Sequence, residues 1–276
     1  MSASKTEGWF RCQFQWFLIR VLGWRRPPAV MMAAGRSLDS VAESYYGIKI
    51  DLGTDLTESE TLEAWREAWE RESGEVEDWS RSTDTKDDMT DKGVLVVSRW
   101  REKIATQILP TTQKLWFELL LDKGDQEWTL NGEVDLLHQP LKEQHRKPIA
   151  ADTKLSGKRY SAKQAYSSLQ PPIYALALEH SPDVESDPSR FQFHVGILYN
   201  PNTKRTSSDP AQIVTRMVSP EERVGVLARV AMARRQIKHA FETGDFLPNR
   251  LSQTCSRRYC AFWEECEKRF GPRVPD

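Results

Sequence analysis

The stretch that decides the fold is Leu130–Glu179: LNGEVDLL at 130–137, IAADTKLSGKRYS at 149–161 and LQPPIYALALE at 169–179. Apolar neighbours (Val134, Leu136, Leu137; Ile149, Ala150, Ala151) make the first two runs strand bodies, and the third reads as a helix. On a strand, residues two apart share a face, so Asp152 and Lys154 point the same way, and Asp135 on the preceding strand can lie alongside. Polar groups among buried neighbours need partners. Two carboxylates held close repel unless a cation sits between them, and an all-oxygen site favours Mg²⁺ or Mn²⁺. A lysine beside such a site can polarise an attacking water and offset developing negative charge. A plain surface ion pair between Asp152 and Lys154 is the alternative reading of the triad taken alone.

Outward from this stretch, the chain alternates in character. Residues 8–24 read as one aromatic-rich helix with Cys12 near its start, ended by Arg25-Arg26-Pro27-Pro28. A second helix is expected over Val30–Tyr46, with Gly35, Asp39 and Glu43 along one face, and a third over Leu56–Arg71 with Thr57 or Ser59 as cap. Ser80–Lys92 is nearly devoid of apolar residues and reads as an exposed loop, and Val94–Gln107 resumes helical periodicity. Strands are expected at Leu115–Leu121, Trp128–Leu137, Pro148–Leu155, Phe191–Tyr199 and Gln212–Val218, with a hairpin turn at Asp122–Asp125. A short helix ends near Ser168 and another begins around Gln170, its prolines tolerated in the opening turn. Ser219-Pro220-Glu221-Glu222 is a helix start with a capping box, and Gly244 ends that helix.

Composition bounds the rest. The chain has 276 residues, 39% hydrophobic content and ten tryptophans, which suits a globular protein. It lacks a long apolar run, and its N-terminus lacks signal-peptide character, so a cytoplasmic location with no membrane partner is expected. The net charge of −1 gives no global basic field, but Arg25 and Arg26 and, separately, Lys158 and Arg159 form local basic patches able to track a phosphate backbone. The four cysteines are Cys12, Cys255, Cys260 and Cys266, the last three spaced C-x4-C-x5-C. In a cytosolic chain such a cluster points to metal or a reactive site rather than disulfides. The five histidines show no metal-ligand spacing, and no phosphate-cradling glycine-lysine loop is present.

Taken together, Gly35-x-x-x-Asp39, Gly132-Glu-Val-Asp135, Asp152-Thr-Lys154 and Gln170-x-x-x-Tyr174 resemble the motif series of the PD-(D/E)XK nuclease superfamily, in particular its RecB-like exonuclease branch. The resemblance implies an α/β fold: a restriction-endonuclease-like core with a mixed central sheet flanked by helices. It implies one nuclease domain over 1–276, mainly helical at 1–110, catalytic at 111–218, with a helix and cysteine-rich tail at 219–276 closing on Cys12. It also implies that Asp135, Asp152 and the carbonyl of Thr153 ligate Mg²⁺ or Mn²⁺, with Asp39 standing where the family has histidine. Lys154 would then act on the nucleophilic water, while Gln170 and Tyr174 hold the site. The cysteines resemble those of the iron–sulfur subgroup that includes the CRISPR-associated four-cysteine exonucleases and the AddB nuclease domain. This implies that Cys12, Cys255, Cys260 and Cys266 bind one [4Fe–4S] cluster as a structural staple, with zinc as the alternative.

The expected activity is a metal-dependent DNA exonuclease working from free single-stranded ends, with Lys158, Arg159, Arg25 and Arg26 contacting DNA. The alternatives are a catalytically weakened end-binding or recombination subunit of the same fold, and a structure-specific endonuclease. Recombination or CRISPR-adaptation proteins are the partners the resemblance suggests, and it leaves the oligomeric state open.

Overall fold

Each apolar run becomes one strand of a single sheet. The computed structural model describes residues 1–25, 27–122, 127–143, 146–198, 209–252, 254–257 and 259–272, with the backbone alone at 81, 122 and 127. The strands are β1 (Ile108–Asp122), β2 (Glu127–Pro140), β3 (Ile149–Ser156), β4 (Arg190–Ile197) and β5 (Ala211–Met217), ordered β1-β2-β3-β4-β5. β3 pairs antiparallel with β2 but parallel with β4, and β5 returns antiparallel, so the sheet is mixed. A parallel step needs a crossover, and the segment between β3 and β4 supplies it with two short helices. The remaining helices precede and follow the sheet.

In chain order the helices are α1 (Ala3–Arg11), α2 (Gln13–Arg20), α3 (Val30–Leu52), α4 (Glu58–Gly74), α5 (Lys86–Lys103), α6 (Ala162–Ser167), α7 (Gln170–Glu179), α8 (Pro220–Thr243) and α9 (Trp263–Phe270). The expected helix over 8–24 is corrected: Cys12 sits in extended backbone (φ −167°) and divides it, its sulfur accepting from Gln15 N at 3.5 Å to start α2. The loop expected at Ser80–Lys92 is also corrected. Thr85 and Asp88 form a capping box that starts α5 at Lys86, ahead of Val94 where the apolar periodicity becomes evident. The helix expected from Val30 runs on to Leu52, where Gly53 takes the left-handed conformation (φ 69°) that stops it. The hairpin turn expected at Asp122–Asp125 lies largely outside the described residues.

By the clustering of its Cα positions the chain forms two compact units. The larger holds Pro27–Leu119 and Asn131–Arg223. Its core is aromatic: Tyr45 and Tyr46 of α3 meet Trp100 of α5 edge-on at 5.6 and 5.5 Å, and Trp65 stacks on Trp69 at 5.9 Å. Such pairs add roughly 0.5–1.5 kcal/mol each beyond the area they bury. Gly93 is required where α5 meets the Trp65 ring, because a Cβ there would overlap it. α3 lies on one face of the sheet, with the Tyr46 hydroxyl 3.5 Å from His194 of β4. α7 lies on the other, with Tyr174 packed on Phe191 at 5.9 Å.

The smaller unit holds Met1–Arg26, Leu120–Leu130 and Val224–Asp276. Trp9 is its centre, fully buried, donating from Nε1 to Gln236 of α8 at 2.9 Å and meeting Trp16 edge-on at 5.3 Å. Phe17 stacks on Phe246 at 4.2 Å, and Phe14 meets Phe270 of α9 at 5.0 Å. These contacts between opposite ends of the chain bring Cys12, Cys260 and Cys266 into one apolar cluster with Phe14, Leu18 and Phe262. No helix among the described residues is long and apolar enough to cross a membrane.

Candidate active site

The site lies where two strands part. The β2–β3 ladder runs His138↔Ile149, Leu137↔Ala150 and Leu136↔Ala151, and the next step along would set Asp135 opposite Asp152. Alternation on β3 then sends Asp152 and Lys154 to the α7 face with Phe193 and Val195, while Thr153 shares the α3 face with His194.

Asp152 is the buried centre, 3% exposed. Gln170, the first residue of α7, donates from Nε2 to Asp152 Oδ1 at 3.0 Å and to the Tyr174 hydroxyl at 3.3 Å. The two prolines after Gln170 occupy the first turn of α7, where no intrahelical donor is lost, so the glutamine keeps its aim. Lys154 Nζ stands 2.6 Å from Asp152 Oδ2, an ion-pair contact, while that oxygen has no partner of hydrogen-bond geometry. Burial works against the Lys154 charge, but Asp152 first, then Asp135 and Asp39, outweigh it and hold the ammonium protonated. Burial and the neighbouring carboxylate charges also hold the Tyr174 phenol neutral.

Asp135 and Asp152 are close enough to share a proton. Enclosure, then the hydrogen bond and charge of Asp152, push the Asp135 carboxyl well above the usual range, against the opposing pull of Lys114 and Lys154. Asp39, on α3, is solvent-accessible as a residue, yet protein atoms crowd its carboxyl. That enclosure, with Asp152's charge adding to it, raises it to about 6. A cavity of about 80 Å³ is lined by Asp39, Asp135, Thr153, Glu43 and Lys114 among others. Three carboxylates with one oxygen lacking a hydrogen-bond donor are a donor set that fits a hard divalent cation, which needs only one or two carboxylates beside water and phosphate. Among the described residues no three His, Cys, Asp or Glu side chains converge on one metal position. The fit is therefore one of donor chemistry and of two facing carboxylates.

Sequence reasoning missed Lys114 altogether. It lies on β1 at φ 51°, the sole positive value at a non-glycine among the described residues, a conformation that costs a side-chain-bearing residue about 1–2 kcal/mol. Its ammonium lies 3.4 Å from Glu133, 3.7 Å from Asp135 and 3.9 Å from Glu43. Nothing in a strand-like run of residues signals such a bend. Arg216 of β5 was missed too. Almost fully buried, it donates to the carbonyls of Ala165 and Ser168, both at 2.9 Å, and to Glu222 Oε1 at 2.7 Å. It thereby pins the α6–α7 junction from which Gln170 projects.

The other expected residues fall elsewhere. Lys158 and Arg159 are exposed in the loop between β3 and α6. Arg25 is exposed after α2, and Arg26 lies outside the described residues. In the smaller unit the four cysteines come together without forming a disulfide. Burial, then the neighbouring thiols of Cys12, Cys255 and Cys260, push the Cys266 thiol up. Four adjacent thiols are the donor chemistry an iron–sulfur or zinc group requires, although the side chains as placed do not close round one point.

A mixed sheet with α3 on one face and α7 on the other, carrying acid, acid and lysine where β2 and β3 part, is the architecture of one nuclease class. Residues 1–267 match the PD-(D/E)XK nuclease superfamily, and the chain belongs to it. Among solved structures the chain is similar to a crystal structure described as a "Putative exonuclease" from Eubacterium rectale. The TM-score is 0.51 and the identity 12%, over 92% of this chain and 86% of that one, a likeness of fold. It also aligns with the crystal structure of SSO0001, at TM-score 0.36 and 8% identity, over 98% of this chain and 96% of that one. No curated protein matches the sequence.

Proposed function

We propose that this chain is a metal-dependent deoxyribonuclease that degrades DNA from free single-stranded ends. The observation that carries the reading is Asp152: buried, held by Gln170, paired with Lys154 and facing Asp135 across the parted strands. Asp135 and Asp152, with Asp39 and the Thr153 carbonyl, would hold Mg²⁺ or Mn²⁺. When bound, that ion would lower the pKa of a coordinated water and neutralise phosphate charge. Lys154, kept protonated by its three acidic neighbours, orients the water and stabilises the charge that develops on the phosphate rather than removing a proton. Gln170 fixes the rotamer of Asp152 through its amide, and Tyr174, neutral, supports Gln170 from one turn along. Lys158 and Arg159 are placed in the proposal as contacts to the DNA backbone, with Arg25 and Arg26 as a second basic patch. The name of the similar Eubacterium rectale protein supports attack from an end rather than within a strand.

The four thiols are proposed to hold a [4Fe–4S] cluster as a structural staple, with zinc as the competing group. The support is their mutual proximity and their freedom from disulfides. A second reading, an end-binding subunit with weakened catalysis, is favoured by Asp39 at the position where the family carries histidine. Oligonucleotides labelled at either end, single- and double-stranded, with Mg²⁺, Mn²⁺ or chelator, separate the readings. Metal-dependent release of mononucleotides from linear but not circular single strands is expected; binding without cleavage under every metal would leave the second reading standing. Iron and acid-labile sulfide in anaerobically purified protein decide between cluster and zinc.

A further inference from the structure

Lys114 is the one residue of the carboxylate site whose presence nothing above explains. Two lysines serve this site, and they are held differently. Lys154 is in tight contact with a single buried carboxylate oxygen at 2.6 Å. Lys114 sits among three carboxylates, nearest to Glu133 at 3.4 Å, then Asp135 at 3.7 Å and Glu43 at 3.9 Å, with no contact as short as that of Lys154. Its backbone takes the left-handed conformation within a strand, which lysine disfavours. Gln113, just before it, reaches the α3 carbonyls of Ala42 and Glu43 at 3.5 and 3.1 Å, so the bend is anchored on its N-terminal side. Lys114 lines the same cavity as Asp39, Asp135 and Thr153. A divalent cation at Asp135 would face this ammonium a few ångströms away. Like charges that close repel, so the ammonium would leave Asp135, and a phosphate oxygen of a bound strand is a further anion that can receive it alongside Glu133 and Glu43.

We propose that Lys114 is a second active-site cation: it balances the carboxylates before metal binds and moves to a phosphate oxygen of the DNA strand once metal is present. The proposal rests on the nuclease reading for its DNA half. It makes Lys114 an internal competitor of the metal as well as a substrate contact, so its removal should move two quantities in opposite directions. A purely structural lysine would not do this, because loosening the site would weaken metal binding and cleavage together.

The test uses Lys114→Asn, a neutral residue that tolerates left-handed backbone, with Lys114→Arg as the charge-conserving variant. Binding of Mn²⁺ alone to the full chain is measured by calorimetry, and cleavage by release of label from a single-stranded oligonucleotide at saturating metal. For K114N, Mn²⁺ is expected to bind about three- to tenfold more tightly, since a competing cation has gone. Its cleavage is expected to fall about ten- to hundredfold with KM raised, since a charged phosphate contact is lost. K114R should restore most of both. Metal binding unchanged or weaker in K114N overturns the proposal, as does cleavage within twofold of the parent. A parent chain that cleaves no DNA under any metal defeats the nuclease reading instead, and the Mn²⁺ comparison still decides whether Lys114 is the competing cation.

Discussion

The two units solve the problem of gathering polar groups in opposite ways. In the larger unit the carboxylate site is written into regular structure: strand alternation aims Asp152 and Lys154, the end of a ladder sets Asp135 opposite, and a helix start delivers Gln170. Each group has a partner in the protein, so the site is held by the fold. In the smaller unit the thiols come from a break between two helices, from irregular chain and from a short terminal helix. They are assembled by aromatic packing between chain ends that lie over two hundred residues apart. The difference lies in what gives each cluster its shape. The carboxylate centre is positioned by strand register and a helix start, whereas the thiols are positioned by side-chain packing alone, so a metal group, if held there, would add most to the order of the thiol cluster.

The most damaging blow to this contrast is aimed at the larger unit. Asp152→Ala and Lys154→Ala should each lower DNA cleavage by about 10³-fold while circular dichroism still shows a folded chain, although each removes one partner of a buried ion pair and should lower the unfolding midpoint. Full activity in both variants would sink the site assignment. Cys266→Ser tests the other side. If the thiols hold a metal group, the variant should lose iron or zinc. Residues 224–272 should then lose protection in hydrogen exchange by more than about 2 kcal/mol. If nothing is held, the cost should stay near or below about 1 kcal/mol.

Gln170→Ala sharpens the account of preorganisation. Freed of its amide partner, Asp152 should keep its place on β3 but lose its orientation, for a drop of about tenfold in cleavage and in Mn²⁺ affinity. Stability of the larger unit should also depend on pH. His138 and His194 are fully buried, with ring centroids 4.9 Å apart, and neither nitrogen of His138 has a hydrogen-bond partner. Burial lowers His138 to about 3 and His194 well below its usual value. The unfolded chain therefore takes up protons below about pH 6.5 that the folded chain refuses. Stability is full above that pH and falls by up to about 1.4 kcal/mol per pH unit per histidine as pH drops toward the folded values. Urea midpoints at pH 7.5 and 5.5 measure the slope, and a flat profile between them would count against the buried neutral pair.

Much of the fold was legible because the stretch from Leu130 to Glu179 obeys simple periods. Alternation of two places Asp152 and Lys154 together, and a one-turn offset places Gln170 beside Tyr174. The cap at Ser219 was equally readable, with Glu222 N donating to Ser219 Oγ at 3.3 Å and Ser219 N donating to Glu222 at 3.1 Å. What failed did so for identifiable reasons. The start of α5 hides in a polar run because its buried positions there are only Met89 and Gly93, too few to show a period, and its capping box uses aspartate where glutamate is the familiar signal. The break at Cys12 is invisible because aromatic residues continue on either side and both halves are good helix formers.

By itself, then, the sequence determined the five strands and most of the helices, and it singled out the acid-acid-lysine group and the four cysteines as candidates, since each follows from short-range spacing and residue chemistry. Only the tertiary structure decided that Lys114 bends into the carboxylates, that Arg216 pins the helix junction and that Cys12 meets the C-terminal cysteines. Those three depend on a backbone bend, a buried charge and contacts across the length of the chain, where the cost of a conformation is repaid by partners that no local window contains.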